Sequence, residues 1–395
     1  MNYILFDDQA SRTNLLPLTF VRPVADIRSG ILTIREKWEK WLKEKTSTLT
    51  EDYLSVKYPL VKEKNNILIN GSVYPTKVLA SQVAALQPNE CLISRDTIVA
   101  LHLRDDDIER IDEIEGIREV EASTEVEKLN ETWELFMKND DQIARDFELL
   151  TQRRKSQEIS GHNTVVGGRN IFVEKGARVE GAILNGNTGC IYIGRDAEVM
   201  EGAVIRGPLA LCEHSVVKMS AKIYGPVTVG PYSKVGGEII RSVILGYSNK
   251  AHDGFLGHSV IAEWCNLGAD TNVSNLKNSY DAVKLWNYGQ KSFVDTGLQF
   301  CGLIMGDHSK CGINTMFNTG TVVGVNANIF GAGYQRNFIP SFTWGGPHGM
   351  KLYDIKKALQ VMKIVYARRE LELTDVDRAI LRHVYEITFD NRKFL

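Results

Sequence analysis

The chain has 395 residues, with 47 Lys+Arg against 49 Asp+Glu, a formal net charge of −2, 43% hydrophobic and 24% charged residues. That is globular composition, which excludes collagen, coiled coil and wholesale disorder, and the balanced charge offers no basic footprint for a nucleic acid. No apolar run approaches the roughly 18 residues of a membrane span. The opening MNYILFDDQASR carries acids where a signal peptide carries bases, so a cytoplasmic protein is expected. The six cysteines (91, 190, 212, 265, 301, 311) lack C-x-x-C spacing and read as buried thiols.

The first 150 residues read as α/β. NYILF is a short strand followed by Asp7 and Asp8, most simply a solvated turn. Arg12, Arg22 and Arg28 are candidates for gripping a nucleotide or phosphate, against the plainer reading of ion pairs. GILTIREKWEKWLKEK is an amphipathic helix carrying Trp38 and Trp41. NNILING is a second apolar strand, and ETWELFMKNDDQIARDFELLTQRR is a helical connector.

Glycine then marks a change of architecture. Residues 1–150 hold 3 of the 33 glycines, 151–350 hold the rest, and 351–395 hold none. In the middle section Ile193, Val199, Ile205, Leu211, Val217, Ile223, Val229 and Val235 repeat every sixth residue, with small residues (Ala197, Ala203, Ser215, Ala221, Ser233) four places after an aliphatic. Shorter runs are Val165, Ile171, Ala177, Ile183, then Phe255, Ile261, Leu267, Val273, and finally Met305, Cys311, Phe317, Val323, Ile329. A period of six is neither helical nor simply alternating; it predicts a parallel β-helix, three repeats to a coil and about seven coils.

The repeat breaks twice. GGEIIRSVILGYSNKAHDG is expected to insert polar residues at a coil edge, and Leu276–Gln299 to project as a loop or hairpin carrying an exposed Trp286. The first break brings His252, beside Lys250 and Asp253. An imidazole titrates near pH ~6.5 and so can take a proton from an attacking amine or hydroxyl; the competing reading is a loop histidine closing a coil. Asn266, the LGADT turn with Ala269, and Asn275 follow on adjoining coils, about 4.8 Å apart. They offer amides and backbone N–H groups for an oxyanion, or merely an asparagine ladder. Asp307, Arg336 and Trp344 are further candidates whose plain reading is coil corners and the end of the solenoid. The tail reads as two helices, the second started by Thr374 and Asp377.

NKAHDGFLGHSVIAEWCNLGADTNVSN resembles the acetyltransferase segment of the bifunctional GlmU family, which joins a sugar-phosphate uridylyltransferase to a glucosamine-1-phosphate N-acetyltransferase. The resemblance spans about residues 160–335. It implies His252 as general base, Asn266 and Asn275 as substrate ligands, and Ala269 and Asp307 as acetyl-CoA contacts. VVKMSAKIYGP resembles the family's I-R-P-x-A-x-x-x-G, which puts Lys218 at a phosphate position, and Arg241 lies beside that of a family lysine. Phe255, Asp270 and Leu276 depart from the pattern, as does lysine in place of arginine at 218, which loses bidentate geometry. LLPLTFVRPVADIR resembles the opening of sugar-phosphate nucleotidyltransferases, but DDQASR replaces their phosphate-cradling Gly-x-Gly, and NGS (70–72) lacks the carboxylate that would hold Mg²⁺.

The resemblance implies a reduced nucleotidyltransferase-like α/β domain with its connector (1–155), a left-handed parallel β-helix (160–345) and C-terminal helices (351–395), assembled as a homotrimer. The expected activity is acetyl-CoA-dependent N-acetylation of an amino-sugar phosphate in nucleotide-sugar synthesis. That step needs no metal, and neither nucleic acid nor membrane is an expected partner. The alternatives are a nucleotidyltransferase using an NTP and Mg²⁺, and a non-catalytic subunit that binds nucleotide sugars.

Overall fold

The computed structural model describes residues 1–104, 108 and 116–393; Phe394 and Leu395, within the expected tail, lie outside them. Contacts divide the chain into one unit of residues 1–15, 21–27 and 32–131 and a second of 16–20, 28–31 and 132–395.

In the first unit the two apolar runs become the strands Asn2–Phe6 and Asn65–Asn70, paired in parallel. They form the middle of a six-stranded mixed sheet, extended by Thr46–Leu49 on one side and by Thr97–Arg104, Glu90–Ser94 and Arg118–Glu121 on the other. The expected amphipathic helix spans Ile34–Leu42, begun by a capping box between Thr33 and Glu36. Its Trp38 is buried and donates Nε1–H to the Val73 carbonyl at 2.9 Å, whereas Trp41 is half-buried.

In the second unit the connector forms the helices Glu134–Met137 and Asn139–Thr151. The period of six then winds into a parallel β-helix. One wall stacks nine strands, from Ile171–Val173 to Phe338–Ile339. A second stacks ten, the last being the antiparallel return Gly349–Leu352. A third holds six, from Thr164–Val166 to Phe255–Gly257. All eight aliphatics of the long run point inward and are buried, as are the five small residues. Val199, Val217 and Val235 sit in register on successive coils. Each such side chain contributes about 1.5–3 kcal/mol when fully removed from water.

Nine coils in one wall exceed the expected seven, because the breaks in the repeat still complete turns. His214 and Tyr232 occupy equivalent corners 18 residues apart; the next corners, Tyr247 and Trp264, follow after 15 and 17. The first break is therefore a shortening of coils, not an insertion. It shifts the frame by one, so Leu256 and not Phe255 fills the core, and likewise Leu184 and not Ile183 near the start. Val165 keeps register but is 40% exposed.

One corner of the solenoid turns through the left-handed region at a non-glycine residue on coil after coil: Asp196, His214, Tyr232, Tyr247, Trp264, His308, Asn326 and Phe342 have φ of 52–63°. Aromatic rings stack there from His214 to Trp264 at centroid separations of 4.7, 5.0 and 4.3 Å. The second break is the expected hairpin, Lys284–Asn287 against Ser292–Asp295. It folds onto the wall instead of projecting freely: Trp286 is half-buried and stacks on Phe338 at 4.3 Å.

The tail forms the helices Ile355–Ala367 and Asp375–Ile387, the second with the expected capping box between Thr374 and Asp377. Tyr366 stacks on Trp264, and Arg392 lies 4.3 Å over the Tyr385 ring. No helix of the described residues is long and apolar enough to cross a membrane.

Candidate functional site

The outward face of the ten-stranded wall carries a polar row in which Lys234, Asn249, Asn266 and Lys310 follow one another in register on adjoining strands. These four side chains floor a cavity of about 680 Å³. Tyr247 and Trp264 from the stacked corner bound one side; Ala251, His252, Ala269 and Ile313 bound the other. Val365, Arg368 and Arg369, at the end of the first tail helix, cover it.

The lining holds four cations, Lys234, Lys310, Arg368 and Arg369, and no carboxylate. Arg369 reaches the Asn249 Oδ1 at 3.5 Å, and Asn249 donates to Asn266 Oδ1 at 3.4 Å. Lys310 donates to the His308 carbonyl at 2.9 Å, and burial lowers its pKa, with Cys265 pulling the other way. The cavity therefore favours an anionic ligand with an apolar portion for the aromatic side.

Of the residues singled out in the sequence, His252, Asn266 and Ala269 meet here. His252 is exposed, on a turn made tight by glycines. A Cβ on Gly237 (φ +75°) would meet the Gly254 carbonyl at 2.6 Å, and one on Gly254 (φ +108°) would meet the Thr271 carbonyl at 2.2 Å. Lys218 lies on the corner column below; its Cβ is the one a side chain on Gly236 would touch, which places it about 10 Å from the His252 level, two coils away. Arg241 and Asn275 gather at another corner around His258. Asn275 Nδ2 lies 2.9 Å from His258 Nδ1, while Phe136 and Phe300 flank the ring. Burial first, and Arg241 second, push the His258 pKa down to about 4. Asp307 is fully buried and accepts the Glu263 N–H at 3.1 Å, outside the cavity lining. Trp344 packs between Phe330 and Tyr353 at the solenoid's end, and Arg336 is exposed.

Sequence reasoning missed Lys234, Tyr247, Trp264, Lys310, Arg368 and Arg369. The only signal for the aromatics was one ring or imidazole per coil, at a spacing that drifts from 18 to 15 to 17.

In the first unit Arg12 is buried and paired with Asp7 at 2.9 Å, and it donates to Tyr53 Oη at 3.0 Å. Arg22 is buried and gives its carbonyl to Arg12. In the second unit Arg28 is half-buried and donates to the Ile31 carbonyl. Burial raises the Asp7 carboxyl despite the lowering effects of Arg12, Thr50 and the Val24 N–H. Asp8 caps the helix Gln9–Asn14; burial works against its charge, but the Ser11 hydrogen bonds and Lys128 hold its pKa below the usual value. The two acids are thus engaged by cations and N–H groups, and no cluster of three His, Cys, Asp or Glu suited to a metal occurs among the described residues.

Residues 3–155 match the family model described as sugar nucleotidyl transferase. Over 144 residues the chain is 29% identical to the bifunctional sugar-1-phosphate nucleotidylyltransferase/acetyltransferase of Sulfurisphaera tokodaii, covering 36% of this chain and 35% of that one. Over 123 residues it is 32% identical to the bifunctional protein GlmU of Methanocaldococcus jannaschii, covering 31% and 27%. The matched stretches thus span about a third of those relatives. Among solved structures it aligns with an Arabidopsis UDP-N-acetylglucosamine acyltransferase (15% identity, 52% of this chain, 74% of that one, TM-score 0.24). A second alignment is with the Bacteroides fragilis UDP-N-acetylglucosamine acyltransferase (14% identity, 58% and 91%, TM-score 0.25). Residues 3–155 thus match the sugar nucleotidyl transferase model, and about a third of the chain is similar to bifunctional GlmU-type proteins.

Proposed function

We propose that the cavity catalyses acetyl-CoA-dependent N-acetylation of an amino-sugar phosphate. The observation that supports this most is the meeting of His252 and the Ala269 backbone in one cavity whose only charges are cationic. In the proposed step the sugar amine attacks the thioester carbon, His252 takes the amine proton, and the Ala269 N–H receives the oxyanion. Collapse breaks the C–S bond, and the departing thiolate takes the proton from His252. Arg368, Arg369, Lys234 and Lys310 hold phosphate oxygens by charge-assisted hydrogen bonds. Asn266 orients the sugar, and the Tyr247–Trp264 side receives an apolar or planar portion of the donor.

The test is thiol release from acetyl-CoA with glucosamine-1-phosphate and related amino-sugar phosphates. Release dependent on both substrates supports the reading; no release with any of them removes it. The match over residues 3–155 favours a second reading, nucleotidyl transfer from an NTP to a sugar-1-phosphate. The engagement of Asp7, Asp8 and Arg12 weighs against it. Pyrophosphate release across the four common NTPs decides it.

A further inference from the structure

The aliphatic columns of the solenoid admit one charged residue. Lys250 pairs in register with Val235, which pairs with Val217, and Lys250 is 2% exposed. An unpaired ammonium in such a column would be prohibitively unstable. Lys250 is not unpaired: it donates to the carbonyls of Gly236 (3.4 Å), His252 and Asp253 (2.8 Å). The Asp253 carbonyl also accepts the Asp270 N–H at 3.1 Å. These acceptors belong to the shortened coil and to the His252 turn itself. An aliphatic residue, which the repeat calls for, would leave those carbonyls without this donor, a penalty specific to this corner.

We infer that Lys250 is a positioning residue for His252: its buried ammonium ties the carbonyls of Gly236, His252 and Asp253 together and so fixes the turn that presents the imidazole to the cavity. The inference rests on the proposed role of His252 for its kinetic consequence, but not for its structural one. Burial pushes the Lys250 pKa down to about 8, opposed by Asp253, Cys311 and Asp270. His252, whose carbonyl accepts from Lys250, belongs to the same turn, and Lys218 has its Cβ against Gly236 on the coil below. The neutral amine still has two N–H donors for the three carbonyls, so loss of charge weakens the tie without removing it.

The experiment compares Lys250→Met with wild type in full-length protein carrying isotope-labelled histidine, together with steady-state kinetics of thiol release. Methionine matches the volume and removes the donors. The expected result is a folded variant whose His252 ring signals and titration curve shift, with kcat at least tenfold lower and KM for acetyl-CoA within twofold. Val217→Ala, a truncation in the same column away from those carbonyls, should lower thermal stability and leave both readouts in place. Lys250→Leu, the kind of residue the repeat calls for, also removes the donors and serves if the methionine variant does not fold. His252 signals coincident with wild type in a folded Lys250 variant overturn the inference, as does a Val217→Ala effect of equal size. If no amino-sugar phosphate is acetylated at all, the proposed function falls while the His252 signals still report on Lys250.

Discussion

The Trp264 indole stacks against the Tyr366 ring at 4.2 Å and 18°, and that contact joins the tail helix to the aromatic corner of the solenoid. Arg368 and Arg369 follow Tyr366 directly, so this one pair sets where two of the four cavity cations stand.

Tyr366→Ala removes the ring from a site only 9% exposed. Unfolding experiments should show a loss of about 3 kcal/mol. Calorimetry should show weaker acetyl-CoA binding as well, because the tail helix loses its anchor. Arg369→Gln should leave stability within about 0.5 kcal/mol and weaken binding of a phosphorylated ligand about tenfold, one charge-assisted contact's worth. Its binding should also vary less with salt than the wild type's.

His258 gives the molecule an acid-sensitive point. Its folded pKa of about 4 lies below the ordinary 6.5, so the fold favours the neutral ring. The stability this confers is fully present above pH ~6.5 and is lost as pH falls from there through ~4, on the order of 2–3 kcal/mol. Denaturant titrations at stepped pH should show that slope in the wild type, and a shallower one in His258→Gln.

Gly254→Ala tests the close approach of the coils behind the His252 turn. With φ at +108° and the Thr271 carbonyl 2.2 Å from the new Cβ, the backbone must shift. The expected loss is at least about 2 kcal/mol by thermal unfolding, with turnover reduced beyond what the remaining folded fraction accounts for.

Arg12→Ala tests whether the first unit uses that arginine structurally. It leaves the 5%-exposed Asp7 carboxylate without its ion partner. A destabilisation of about 3–5 kcal/mol is expected, seen as an earlier unfolding transition, with acetylation by the folded protein unchanged.

The solenoid was legible because its chemistry is local: Ile193 to Val235 repeat every sixth residue, and all eight fill the core. The frame failed at Ile183 and Phe255, where coils change length and a count of six lands one residue off the inward position. Lys250 escaped notice as a core residue because its carbonyl partners come from the coil geometry, not from its neighbours' identities. His252, Asn266 and Ala269 lie within 18 residues of one another and were found together. Lys310, Arg368 and Arg369 lie 58 to 117 residues beyond His252, and only the winding of the chain brings them to the same cavity.

The proposed role of His252 is decided by turnover of acetyl-CoA and an amino-sugar phosphate in His252→Ala, with melting temperature and acetyl-CoA affinity measured on the same preparation. Turnover should fall at least a hundredfold, with folding and donor binding retained. Near-wild-type turnover in a folded His252→Ala protein would rule that role out, because the acyl transfer would then proceed without its proposed base.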